Sequence, residues 1–240
     1  MSNLMTTNFQ KLGIKGGCLY EILATTFSKK NEEIIPNASC MGIRIKDNNT
    51  IHIIPYPDTN TYKNLKENGL ICINFVENVY IYALAALKGP YLSEKYIVFP
   101  MKYYNYYNLN YNYELTRRTI KIPFIKSAWA ILIGEVINEM HFTKQDDFGE
   151  IKLTNFILNN ILINKFKESH KLFNRAENLV LETIIMVTRL KTAFETKKEN
   201  LVMKYQRKIE ETIKSIKRFG KNPDNLKSVY LIEDYLQNLK

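Results

Sequence analysis

Residues 55–65, Pro-Tyr-Pro-Asp-Thr-Asn-Thr-Tyr-Lys-Asn-Leu, place two hydroxyls, an ammonium and an amide within six positions: Thr59, Thr61, Lys63 and Asn64. The stretch follows a short apolar run at residues 51–54, so it stands at the exit of a predicted strand. A short helix is predicted over residues 62–68, with Thr59 and Thr61 as capping residues and Gly69 as the stop. Hydroxyls, the first backbone amides of a helix and the positive end of its dipole all favour an anion. The chemistry this set suits is the holding of a phosphate, with Thr59 and Thr61 as the principal donors, the Tyr62 and Lys63 amides adding to them, and Asn64 within reach. Read by themselves, the same residues serve equally well as turn and cap residues.

The other chemistry-bearing side chains are dispersed. Cys18, Cys40 and Cys72 form no CxxC pair, which excludes a zinc ribbon and a disulfide framework and fits a reducing cytoplasm. His52, His141 and His170 have neither metal-ligand spacing nor a nucleophile motif around them. There is no GxGxxG, P-loop or HExxH. No metal is implied and no catalytic residue is identified. Asn74, between Ile73 and Phe75, points by alternation to the opposite face from those neighbours, toward a ligand or simply outward. Arg175 stands near the start of a predicted helix, where guanidinium and dipole both favour an anion; pairing with Glu177 or Glu182 is the alternative.

These residues need elements to position them. Residues 19–27 read as a first strand, and residues 34–45 and 51–54 as two more around an Asp47-Asn48-Asn49 turn. Residues 70–75, 119–125 and 127–136 read as further strands, the last containing Trp129, the only tryptophan. Five to seven strands with short turns predict a barrel. Residues 78–87, apolar on all sides, predict a buried helix packed against the barrel mouth and ended by Gly89-Pro90. Residues 101–114, where Tyr and Asn alternate, read as an insertion or long hairpin loop, with a base-stacking platform as the functional alternative. From residue 152 the pattern reads as helical: Leu153, Phe156, Ile157, Ile161 and Ile163 suggest one helix, Asn174 caps a second, residues 197–218 form a third, and Asn222-Pro223-Asp224 opens a fourth. The expected organisation is a barrel over residues 1–150 and a helical region over 151–240 packing on it.

The order Asn37-Ala38-Ser39-Cys40-Met41-Gly42 on one strand, Thr61-Tyr62-Lys63-Asn64-Leu65 after the next and Ile71-Cys72-Ile73-Asn74-Phe75 on the third resembles the FMN-binding split barrel of flavin-reductase-like proteins. More narrowly, it is similar to a mainly archaeal branch, long catalogued as a domain of unknown function, in which helices follow the barrel. Gly17 to Glu21, Ala24-Thr25-Thr26, the stretch 83–87, and Asn174-Arg175-Ala176 through Leu190 extend the likeness over residues 15–195. The resemblance implies a mainly β fold with α elements, FMN as cofactor, a homodimer completing the flavin pocket, and flavin-dependent oxidoreductase or flavin-reductase activity of unknown substrate. It places Asn37, Ala38, Ser39, Cys40 and Met41 along the flavin ring and favours phosphate for Thr59, Thr61, Tyr62 and Asn64, with Arg175 reaching the phosphate from the tail. Gly42 would allow close approach and Met41 would pack. Ser39 stands where similar proteins lead one to expect proline. Thr61→Ala is expected to weaken FMN affinity with little loss of stability.

Charge supplies the competing reading. The formal net charge is +10; residues 1–150 carry sixteen Lys and Arg against fourteen Asp and Glu, and residues 151–240 carry eighteen against ten. A basic helical tail makes a non-catalytic module gripping nucleic acid or a protein partner the alternative, less favoured than flavin binding. Residues 1–10 lack the apolar core of a signal peptide, and no apolar run approaches the roughly 18 residues of a membrane span.

Overall fold

The computed structural model describes residues 9, 12–14, 19–31, 33–46, 50–91, 97–113, 116–168, 175–219 and 223–239, without the side chains of 111–113, 116–118, 175 and 219. The chain divides into two compact units: residues 1–76, 101–144 and 151–169, and residues 77–100, 145–150 and 170–240.

The first unit is built on a closed six-stranded barrel in the order β1-β2-β3-β8-β7-β4. Its strands are β1 (Leu19–Lys30), β2 (Glu33–Ile45), β3 (Ile51–Ile53), β4 (Leu70–Phe75), β7 (Ala130–Asp146) and β8 (Gly149–Lys165). β1 and β2 form a long antiparallel hairpin, Leu19 opposite Arg44 and Lys30 opposite Glu33, turned at Asn31 with φ 49°. Asparagine tolerates that left-handed conformation because its short amide bonds locally. Alternation puts Ile22 and Ala24 of β1 inside with Ile43 and Ile45 of β2, Ile71 and Ile73 of β4, Leu132 of β7, and Phe156 and Leu158 of β8.

Residues 149–165 form a strand, which corrects the helix expected from residue 152. The spacing of Leu153, Phe156 and Ile157 fits a helical face, but Phe156 and Leu158 point into the barrel while β8 pairs with β3 through Ile53–Phe156 and Ile51–Leu158. A strand packed on both faces loses its alternation and imitates helical period. The barrel therefore extends beyond residue 150.

Every residue of β4 is buried. One side faces the barrel interior; the other lies under a separate two-stranded sheet made of β5 (Tyr104–Tyr113) and β6 (Thr116–Ile125). β6 packs on β1 and β4. The Tyr/Asn-rich stretch expected as a loop is thus mostly strand, paired from Tyr104–Ile125 to Tyr113–Thr116. Tyrosine at alternate positions suits a pleated surface, and Tyr104 and Leu109 are the buried members on the described part.

Helix α1 (Asn60–Asn68) packs on β1, β2 and β4. Thr59 is its N-cap, accepting from the Tyr62 amide at 3.2 Å, and Gly69 closes it at φ 68° with its N–H bonded to Leu65 O at 3.0 Å. Only glycine takes that φ without steric cost. Its inner face presents Thr61, Asn64 and Leu65, of which Leu65 joins the barrel core.

The second unit is helical: α2 (Val79–Leu87), α3 (Arg175–Glu195), α4 (Glu199–Phe219) and α5 (Pro223–Asn238). α2, capped by the Asn78 side chain on the Tyr80 amide at 2.9 Å, packs with α3 and α5 and falls in the same unit as the C-terminal helices. α4 buries Tyr205, Ile209, Ile213 and Ile216 along one stripe, as their spacing predicts. The tip of the β7–β8 hairpin, residues 145–150, also belongs to this unit. Asp147 Oδ2 accepts from Tyr205 Oη at 2.8 Å and lies 3.5 Å from Lys204 Nζ, while Lys198 donates to Asp147 O at 2.9 Å. The Tyr205 hydrogen bond, followed by the Lys204 and Arg189 charges, holds the Asp147 carboxyl below its ordinary range.

Candidate functional site

Strand β3 is only three residues long, and it pairs with β2 only at Ile43, Arg44 and Ile45. Among the described residues no strand pairs with the β3-side edge of β2 from Glu33 to Gly42. That edge is thus left to contacts other than a β-ladder, and α1 packs on β2. Ser39, Cys40 and Met41 are half-buried along it. The residues expected along a flavin ring therefore lie where a planar polar edge could meet backbone groups, but their side chains divide between two faces. Asn37, Ser39 and Met41 share the inward parity of Ile43, whereas Ala38 and Cys40 point the other way.

Cys40 pairs with Leu23, and its thiol is pushed up to about 12 by burial and then by the Glu21 carboxylate. A thiol so disfavoured as thiolate is a poor nucleophile at neutral pH. At Gly42 the space a Cβ would need is filled by this chain itself, with Leu19 Cδ1 only 2.7 Å from that position.

The phosphate candidates separate by burial. Thr59 is exposed and engaged as cap: its Oγ1 donates to Tyr56 O at 2.7 Å and accepts from the Tyr62 amide. The Lys63 amide is bonded to Thr59 O at 3.1 Å. The two amides expected as donors, Tyr62 and Lys63, are thus engaged within the helix start. The first two helical amides, Asn60 and Thr61, are the ones that the geometry of an N-terminus leaves without an intrahelical acceptor. The Tyr62 ring packs edge-on against Phe156 at 5.5 Å and serves the core.

Thr61 is fully buried and belongs to a hydrogen-bonded set at the end of the barrel. Its Oγ1 donates to Ser39 Oγ at 2.9 Å and accepts from Asn37 Nδ2 at 3.1 Å. Asn37 Nδ2 also lies 3.3 Å from Ser39 Oγ and 3.4 Å from Thr26 Oγ1, which Asn64 Nδ2 approaches at 3.0 Å. The structure thus joins residues assigned from sequence to the ring (Asn37, Ser39) and to the phosphate (Thr61, Asn64), and adds Thr26, which sequence reading missed. Thr26 stands opposite Asn37 in the hairpin register; the Ala24-Thr25-Thr26 stretch that extends the family likeness was the sequence signal pointing to it. Replacing Thr61 by Ala removes a buried hydroxyl with two partners, so the expectation of little stability loss is corrected: a loss of about 1–3 kcal/mol follows from stranding them.

Asn74 has no exposed surface and is used within the fold. Its Oδ1 accepts from the Ile125 amide at 2.7 Å, and its Nδ2 faces Leu23 O at 2.9 Å, Thr25 Oγ1 at 3.0 Å and Cys72 O at 3.0 Å. With Thr25 donating to Pro123 O at 2.6 Å, it clasps β6 to the barrel wall. Its side chain turns away from its neighbours as alternation predicts, but what it meets is this chain's own β6. The side chain of Arg175 lies outside the described residues.

On β3, the strand next to β2, His52 sits between Asn155 Nδ2 at 2.8 Å and Thr50 Oγ1 at 3.1 Å, its pKa lowered by burial and by the Lys46 charge. No group of three or more His, Cys, Asp or Glu able to hold a metal occurs among the described residues, and none of the described helices is long and apolar enough to cross a membrane. Several cations of the basic tail are paired: Lys191 with Glu195, Arg207 with Glu211, and Lys217 with Glu233.

The fold is similar to that of the FMN-bound protein MM1853 from Methanosarcina mazei, at 19% identity and a TM-score of 0.67, over 95% of this chain and 100% of that one. Flavoredoxin from Methanosarcina acetivorans is similar over 66% of this chain and 76% of its own, at 15% identity and a TM-score of 0.42. The flavin reductase HpaC complexed with NADP+ is similar over 67% and 87%, at 13% identity and a TM-score of 0.41. No curated protein sequence matches the chain. Residues 20–149, more than half of the sequence, match the model of the DUF447 N-terminal domain, described as a protein of unknown function, and the chain belongs to that family.

Proposed function

We propose that this protein binds FMN along the edge of β2 that no described strand pairs, with the phosphate toward the first turn of α1 and the ring farther along that edge, beside residues 40–42. The observation that carries this reading is local: a strand edge that no neighbouring strand pairs runs beside a helix start whose first two amides have no intrahelical acceptor. The likeness in fold to an FMN-bound family relative supports it. FMN carries three needs: donors for a dianion, polar groups for the edge of its pyrimidine ring, and apolar cover for the ring face. The α1 amides and the hydroxyls near them meet the first, the β2 main chain the second, and half-buried Met41 with exposed Ile54 and Tyr56 the third.

When bound, FMN supplies the hydride or electron chemistry, and the protein supplies orientation and electrostatics. The activity we propose is accordingly flavin-dependent oxidoreduction in a homodimer, the second copy covering the exposed apolar side chains beside the β2 edge. The test is a visible spectrum of the purified protein, followed by FMN titration of the stripped chain. A yellow protein whose thermal midpoint rises with FMN by mass action is expected. A colourless chain indifferent to FMN refutes the proposal. Oxidation of NADH or NADPH by the loaded protein tests turnover separately, and sedimentation with and without FMN tests the dimer.

A further inference from the structure

The set formed by Thr26, Asn37, Ser39, Thr61 and Asn64 is unequal in its protons. A hydroxyl has one proton to donate and two lone pairs to accept with, whereas an amide nitrogen only donates. Asn37 Nδ2 donates to Thr61 Oγ1 at 3.1 Å, so the single Thr61 proton goes to the remaining oxygen within reach, Ser39 Oγ at 2.9 Å. Ser39 Oγ is approached by a second donor, Asn37 Nδ2, at 3.3 Å. Asn37 Nδ2 has two protons for the three oxygens it approaches, Thr61, Ser39 and Thr26, so it serves at most two of them; Ser39 Oγ takes the Thr61 proton and keeps its own proton to donate. Thr26 is approached by Asn64 Nδ2 at 3.0 Å and by Asn37 Nδ2 at 3.4 Å, and it has no exposed surface. Thr61 is also fully buried. Half-buried Ser39 is the hydroxyl of the set that reaches the surface.

Resting on the FMN reading above, we propose that Ser39 is the side chain that touches the flavin phosphate, donating its hydroxyl proton to a phosphate oxygen, and that Thr61 is a positioning residue holding the Ser39 oxygen. An ionised phosphate ester offers only acceptors on its terminal oxygens, which suits a hydroxyl that already accepts from Thr61 and has its own proton to give. The arrangement reverses the roles suggested by the sequence, where Thr61 is the phosphate ligand and Ser39 lies along the ring.

The experiment is titration of the full chain with FMN and with riboflavin, which lacks the phosphate, read by flavin fluorescence for the wild type, Ser39→Ala, Thr61→Ser and Thr61→Val. Loss of a hydrogen bond to a charged group predicts that Ser39→Ala weakens FMN about tenfold or more while riboflavin changes by less than about twofold. Thr61→Ser keeps the hydroxyl and is expected to bind FMN like the wild type; Thr61→Val is expected to lose FMN affinity as Ser39→Ala does. Unchanged FMN affinity in Ser39→Ala overturns the assignment, as does equal loss of FMN and riboflavin, which moves the contact to the ring. Failure of Thr61→Ser to match the wild type makes Thr61 a packing residue and overturns its positioning role. A wild-type chain that takes up neither flavin removes the reading beneath the assignment, and the assignment with it.

Discussion

Replacing Asn74 by Leu tests whether one buried amide fastens the β5–β6 sheet to the barrel. The substitution keeps the branched shape and the number of side-chain heavy atoms and removes every polar contact. Nδ2 has two protons for the three acceptors around it, so it makes at most two of those hydrogen bonds at once, and Oδ1 makes a third with the Ile125 amide. With Leu in place, the Ile125 N–H and at least one of the Leu23 and Cys72 carbonyls lose a partner in a region without solvent. Each of the two stranded groups costs about 1–3 kcal/mol, and the apolar gain of the leucine offsets part of that, giving a net loss of about 1–4 kcal/mol. Against total stabilities of about 5–15 kcal/mol, that is a large fraction. Urea unfolding followed by Trp129 fluorescence is the assay, because this lone tryptophan lies 5.5 Å from Phe75 at the end of β4 and reports on the first unit. Hydrogen exchange at Ile125 should quicken in parallel. Asn74→Asp adds a signed control. Its carboxylate keeps the acceptor for Ile125 but sets negative charge against the Leu23 and Cys72 carbonyls, so its folded pKa is raised and its deficit relative to wild type shrinks as pH falls. A loss below about 1 kcal/mol for Asn74→Leu, or unchanged exchange at Ile125, refutes the clasp.

Two further predictions concern titration. Burial pushes the Cys72 thiol up to about 12, and burial with the Glu21 carboxylate does the same for Cys40. At pH 8 both should therefore alkylate about a thousandfold more slowly than a free thiol in the native chain and normally once unfolded, as peptide mass mapping would read; free-thiol rates at Cys40 contradict this. His52 has its folded pKa depressed below the usual 6.5, by burial first and Lys46 second. As pH falls below 6.5 the unfolded chain takes up a proton that the folded chain refuses, so stability present above 6.5 is lost as pH falls toward the folded value. His52→Gln should flatten the fall in the urea midpoint between about pH 7 and pH 5, and an unchanged slope would clear His52 of the effect.

The local elements were legible where one residue type enforces a conformation. Gly69 stops α1, Thr59 caps it, and the stripe Tyr205, Ile209, Ile213 and Ile216 orients α4; each follows from steric or hydrogen-bonding rules acting over a few residues. Residues 149–165 were not legible, because the consecutive buried residues 153–156 break the two-residue alternation of a strand, and only pairing with β3 and β7 distinguishes the segment from a helix. The Tyr/Asn stretch misled for the opposite reason: low complexity reads as loop, and its strand character comes from a partner strand and a barrel wall to lie on.

For the site, the sequence by itself determined the inventory: hydroxyls and amides at residues 37–39 and 59–64, a helix start among them, and an asparagine on a central strand. Tertiary structure alone decided which of these face one another. The β1–β2 register brings Thr26 opposite Asn37, and α1 lays Thr61 against Ser39. That contact gives the two hydroxyls different roles, because a proton donated inward by one leaves the other with only its own proton to give. Asn74 shows the same division: alternation fixes the face its side chain takes, while the neighbour waiting there, the Ile125 amide of β6, is set by packing fifty-one residues away in the chain.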